Sequence, residues 1–348
     1  MGKKNAITML FVAAVVALAG SQAMALYIVD VGAPASEAGY SPASWGPIQP
    51  DTSGGNWGGI AADILSFDGR CRVIWDASDD DPAASLAFPT SVTSVAVRHL
   101  LGAADDSFDV DVSGSAWGSL SDAPSSSEVW TATTFSGVPG RNLTLTATGE
   151  KWAGFNTYGQ VAIDWVVATQ TGETFQVWTF DDDENPSVPE LDLNIYGEPT
   201  AVIKSAAGHP EWAATFLERD GVWQADGITV ELDIPNQMIP NPYKQIDIEI
   251  GFLGELANFS VFPTPFSSCV ELVSQDFEVV DPATGWKKLT AKYLIYPNPE
   301  SETICYAFSG DAALDYVAVR TICVPEPLTI CLLGLGGLIL RTQKRKAA

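Results

Sequence analysis

Histidine is nearly missing from this chain: 348 residues contain two, His99 and His209. His99 falls in an alternating apolar-polar stretch and His209 precedes Pro210, so both are read as structural residues. Basic residues are also scarce, with 18 Lys and Arg against 43 Asp and Glu, a formal charge of −25. Such a surface repels nucleic acid, which is bound through its phosphates, and it repels anionic lipid. The motifs GxSxG, HExxH and GxxxxGK[ST] are absent, so neither a hydrolase elbow, a zinc-protease helix nor a phosphate loop is encoded. Paired carboxylates for glycoside hydrolysis are not singled out among so many acids. No enzyme is therefore expected.

Cysteine is sparse too. Cys71, Cys269, Cys305, Cys323 and Cys331 show no CxxC or Cys/His spacing, which leaves no zinc pattern. Four of them lie outside the apolar C-terminal run and allow three complete disulfide pairings, which the sequence does not rank. Helical periodicity is almost absent. In its place are short alternating runs such as 107–112, with Phe108, Val110 and Val112 on one face and Asp109 and Asp111 on the other. A period of two marks half-buried strands. Further runs are expected at 26–31, 70–75, 92–101, 129–135, 142–148 and 161–168. After a pause near 170, others follow at 175–180, 200–203, 228–234, 244–252, 258–262, 269–279, 286–295, 302–308 and 314–322. Turn-rich Gly, Pro, Ser and Asp clusters separate them, the pattern of an all-β sandwich.

Long hydrophobic runs occur only at the two ends. Lys3 and Lys4, the apolar stretch 7–19 and Ala23-Met24-Ala25 read as a secretory signal peptide over 1–25. At the other end, Val324-Pro325-Glu326-Pro327 precedes an apolar run over 328–340 and a tail carrying Arg341, Lys344, Arg345 and Lys346. Thirteen helical residues reach about 20 Å, short of a hydrocarbon core of about 30 Å, so the run makes a poor permanent transmembrane helix. Setting aside the six basic residues of these two ends leaves 12 against 43 acids, a charge of −31.

The VPEP sequence, the run containing Gly334, Gly336 and Gly337, and the basic tail resemble the PEP-CTERM sorting signal of Gram-negative bacteria. The resemblance covers about the last 25 residues, 324–348. It implies export, recognition by an exosortase, a transient membrane stage, removal of the tail, and delivery to the cell surface or an exopolysaccharide matrix.

Between the ends, two β-sandwich, jelly-roll-like domains are expected, at 26–170 and 171–323. A short internal repeat accompanies that division: Val161-Ala162-Ile163-Asp164-Trp165-Val166 and Ala312-Ala313-Leu314-Asp315-Tyr316-Val317. The stretch 149–166 resembles the end of a galactose-binding-like jelly roll, the fold of many carbohydrate-binding modules. That resemblance implies a structural calcium near Asp164 and, by the repeat, near Asp315. The Asn that touches sugar in that family is replaced by Ala162 and Ala313. Trp152, Asn156 and Tyr158, in the loop before the closing strand, supply the rings and polar group of an expected sugar platform. Asp-rich loops at 76–81, 105–106 and 181–184 offer further calcium-type oxygens, without EF-hand spacing. The functional expectation is an exported structural or adhesive protein associated with exopolysaccharide. Its alternative is a carbohydrate-binding module, with a glycan hydrolase a distant third.

Overall fold

In the computed structural model, the structure describes residues 27–30, 48–50, 70–74, 83–101, 107–121, 131–148, 161–205, 208–237, 242–265 and 268–324. Seventeen strands account for most of them. The first eight are β1 (Tyr27–Asp30), β2 (Ile48–Pro50), β3 (Arg70–Ile74), β4 (Ala83–Leu101), β5 (Ser107–Val112), β6 (Ser115–Ser121), β7 (Thr131–Thr148) and β8 (Val161–Gln170). The rest are β9 (Glu173–Trp178), β10 (Leu191–Asp192), β11 (Thr200–Ser205), β12 (Glu211–Phe216), β13 (Arg219–Pro235), β14 (Tyr243–Thr264), β15 (Cys269–Asp281), β16 (Trp286–Tyr296) and β17 (Ser301–Val324). All ladders are antiparallel, and the fold is all-β, as the alternation requires.

The first sheet runs β2-β3-β8-β4-β7-β5-β6 with β1 also on β8. Its core gathers Leu86, Val95, Val97, Phe108, Val110, Leu143, Leu145 and Val166. The second sheet runs β10-β9-β17-β14-β16-β15, with β13 on β17 and β11 and β12 on β13. No ladder among the described residues joins the two; the pairing divides between Gln170 and Glu173. They meet through a small apolar cluster in which Ala96 and Val167 pack with Phe175, Val177, Leu193 and Ala318.

The second sheet bends on itself to enclose its core. The first half of β14 pairs with β16, while Glu255–Thr264 pairs with the start of β17 alone. Three glycines sit at the bend. Gly254 (φ 101°) and Gly227 (φ 76°) lie at register slips, and Gly310 (φ 72°) lies on β17 beside the bend. These left-handed angles suit glycine, and bulges turn a strand sharply. The two layers close over Trp178, Val230, Leu232, Ile248, Ile250, Leu289, Tyr293 and Tyr306. Here sequence and structure differ: 244–252 and 258–262 are one strand, as are 302–308 and 314–322, because the ladder continues through the bulges. Likewise β7 fuses the runs expected at 129–135 and 142–148.

The internal repeat has a structural counterpart. Both copies lie on strands paired on both sides, β8 and β17. In each, the register slips at the aspartate: the backbone of Asp164 and Trp165 stands opposite the single residue Arg98, and Asp315 is the extra residue between pairs Gly251–Tyr316 and Phe252–Leu314. Cys269, Cys305 and Cys323 are free thiols, so the structure forms none of the complete disulfide pairings that the sequence allowed.

Candidate functional site

The bend in the second sheet opens a groove of about 630 Å³. Its lining combines apolar side chains, Phe216, Leu217, Leu253 and Ala312, with polar ones, His209, Glu211, Gln224, Asp226 and Asp311. The turn between β12 and β13 shapes one wall. Leu217 (φ 47°) and Glu218 (φ 66°) are both left-handed, the geometry of a two-residue hairpin whose ends, Phe216 and Arg219, pair. The Trp286 indole N–H donates to the Leu217 carbonyl at 3.3 Å, which pins the turn and leaves the Leu217 side chain 44% exposed. At the opposite wall, a Cβ on Gly254 would stand 3.3 Å from the Ala312 backbone, so glycine permits the close approach of β14 to β17.

The polar side chains carry the electrostatics. Asp226 and Asp311 are direct cross-strand partners, a like-charge pair that is unfavourable in the absence of a donor between them. Among the described residues no ion pair engages Glu211, Asp226 or Asp311. Carboxylates accept only, so these side chains present acceptors to hydroxyl or amine donors beside the apolar part of the lining. His209, read from the sequence as structural, is exposed and lines this groove.

A second groove, of about 430 Å³, crosses the outer face of β14, β16 and β17. Its charges satisfy one another. Arg320 reaches Glu173 at 2.6 Å, Lys292 reaches Asp247 at 3.4 Å, and the Tyr316 hydroxyl donates to Glu249 at 2.9 Å. Burial raises the Glu173 pKa, and Arg320 opposes that rise.

Asp315, one of the two residues expected near calcium, is buried beside an organic cation. Its Oδ2 lies 3.7 Å from Arg219 Nη1, and Arg219 also stands over the Trp286 ring at 5.9 Å. Burial pushes the Asp315 pKa up to about 7, with Arg219 opposing, and Oδ1 has no hydrogen-bond partner. Asp164 lies on β8, and its side chain is outside the described residues. Among the described residues, no three His, Cys, Asp or Glu side chains converge to hold a metal ion. In the 181–184 loop, Asp181 accepts from the Thr179 hydroxyl and Asp182 from the Glu184 N–H, so both serve the turn. Trp152, Asn156 and Tyr158 lie outside the described residues, as do the signal peptide and Pro325, Glu326 and Pro327. Val324 is the last residue of β17 and pairs with Tyr243.

No protein-family model and no curated protein matches the chain. Solved structures that resemble it include the C-terminal CBM6 of LamC, a marine laminarinase from Zobellia galactanivorans. That module is 15% identical over 42% of this chain and 100% of its own, with a TM-score of 0.25. CsCBM6-3 from Clostridium stercorarium, in complex with cellobiose, is 14% identical over 41% of this chain and 93% of its own, TM-score 0.25. A Paenibacillus xanthan lyase is 14% identical over 88% of this chain and 26% of its own, TM-score 0.25. Likenesses at these scores identify neither a site nor a ligand here.

Proposed function

We propose that this is an exported, non-catalytic polysaccharide-binding protein of the cell surface or extracellular matrix, and that the groove at the bend of the second sheet is its binding site. The observation that carries the reading is the composition of that groove: the apolar side chains of Phe216, Leu217, Leu253 and Ala312 beside the exposed His209, Glu211, Asp226 and Asp311 and the half-buried Gln224. A sugar ring offers the complement, with C–H faces for Leu217 and Phe216 and hydroxyl donors for Glu211, Asp226 and Asp311. The acidic lining favours neutral or amino sugars over uronates. Export, exosortase processing and delivery to the surface or an exopolysaccharide matrix rest on the sequence signals at the two ends. Intact-mass analysis of envelope-derived protein tests that address: residues 1–25 should be missing and the chain should end near Val324, whereas a full-length mass would contradict it.

Affinity electrophoresis tests the ligand. Gels containing hydroxyethyl cellulose, a neutral glucan, should slow the protein, and gels containing alginate, a polyuronate, should not. Leu217→Ala with Gln224→Ala, both away from the main core, should weaken retention about tenfold, the equivalent of about 1.4 kcal/mol. Equal retardation by both polymers, or none by either, would refute the proposal.

A further inference from the structure

At the end of the sandwich nearest Pro235, three polar side chains are packed together out of water. Lys244 and Glu302 are both 0% exposed, with Lys244 Nζ 2.6 Å from Glu302 Oε1. Asn236, also buried, donates from Nδ2 to Glu302 Oε2 and to the Pro299 carbonyl at 3.2 Å. Glu302 therefore bridges two nitrogens, an amine on one oxygen and a carboxamide on the other. Around them lie Ile234, Ile246, Ile295 and Ile304, which exclude water. An ion pair in such a place costs more in desolvation than an apolar replacement would, and a carboxamide sharing the same carboxylate adds a group that stability alone does not require.

We propose that Lys244 and Asn236 become joined by an isopeptide bond, formed within the folded chain with Glu302 as the acid-base group. Glu302 Oε1 removes a proton from Nζ, leaving a neutral amine beside a neutral acid. Nζ attacks Cγ of Asn236, and the resulting intermediate carries negative charge on Oδ1, which has no other partner in this structure. The protonated Glu302 carboxyl, turned so that its O–H meets Nδ2, delivers the proton that the leaving nitrogen needs. The Cγ–Nδ2 bond breaks, the Cγ=O double bond re-forms, and ammonia departs; Nζ loses its second proton to Glu302. An ammonium, a carboxylate and a primary amide thus become a secondary amide, a neutral carboxylic acid and ammonia. Atoms and charge balance, and no oxidant, reductant or water is consumed.

Two physical terms favour the step. Fixed placement of nucleophile, relay and leaving group removes the entropic cost of bringing them together. The reaction also eliminates both buried charges, and burial raises the pKa of Glu302 against the opposing pull of Lys244, so the carboxyl is suited to end protonated. The bond would tie Asn236, beyond the end of β13 in one layer, to Lys244 at the start of β14 in the other. That makes a covalent clasp across the sandwich.

Trypsin reads the bond directly. In the full chain, folded, then denatured and digested, an unlinked Lys244 is cleaved before Gln245. A linked Lys244 resists, so residues 220–287 should appear as one peptide, lighter than its sequence by one ammonia, with fragmentation blocked between Asn236 and Lys244. Glu302→Gln, which cannot relay the proton, should restore cleavage. Wild-type protein cleaved after Lys244 with Asn236 intact overturns the proposal, as does ammonia loss at Asn236 with Lys244 still cleaved. A link that persists in Glu302→Gln overturns the role given to Glu302.

Discussion

Asp315 shows how far one residue can be read from sequence. Its place on a repeated strand was legible, because Leu314-Asp315-Tyr316 repeats Ile163-Asp164-Trp165. Its neighbour was not: Arg219 lies on β13, and nothing local announces that contact. The same holds for Asn236, Lys244 and Glu302, which only the tertiary fold assembles. Asp315 and Glu190 both have pKa values pushed up to about 7, chiefly by burial. Carboxyls raised in the folded state add stability that is complete below their unfolded value and is lost as pH rises through about 7. Asp315→Asn should flatten the fall of Tm between pH 5 and pH 8; an unchanged slope would show that Asp315 does not titrate there. The calcium expectation at Asp164 is tested by melting with calcium and with chelator, since a ligand bound only by the folded state raises Tm. Calcium should raise Tm in the wild type and leave Asp164→Ala unmoved. Identical wild-type melts would remove calcium from the account.

Strands were the most legible level, because alternation is written residue by residue, and 107–112 appears as β5 with the expected face buried. Continuity through a bend was not legible. Gly254 looks like a turn in sequence, and in the fold it is a bulge that keeps β14 paired with β17. Edge and centre also look alike in sequence. β15 alternates no better in burial than a loop, being exposed on both faces, because it is the outer strand of its sheet. Its register slips at Val273 and Val280 and its acids Glu271, Asp276 and Glu278 disfavour addition of another strand. Packing at the centre is stricter. A Cβ on Gly251 would come within 2.4 Å of the Tyr316 ring, whose hydroxyl is bound to Glu249. Gly251→Ala should therefore cost about 1–3 kcal/mol in urea unfolding, the usual range for overfilling a packed site. A loss near zero would mean that the ring moves aside freely.

For the molecule as a whole, acidity was evident from composition and β-character from alternation, while the groove was not, since Glu211, Leu217, Asp226, Gly254 and Asp311 come from four strands and a turn. The two sheets also carry opposite pH responses. In the first, His99 is buried against Phe108 and bonded to Thr133, and burial, with Arg98, lowers its pKa to about 4. Its contribution is present above the unfolded value of 6.5 and is lost as pH falls toward about 4. Acidification from pH 7.5 to 5 should thus lower exchange protection in β4 and β7 while raising it in β9 and β17; parallel changes in both would contradict the assigned groups. The binding site itself is tested most directly by hydrogen exchange of the full chain with and without hydroxyethyl cellulose. The account predicts slowed exchange in the β12–β13 hairpin and at 253–254 and 309–313, with little change elsewhere. Unaltered exchange in those segments at saturating polymer, or protection confined to another face, would contradict it.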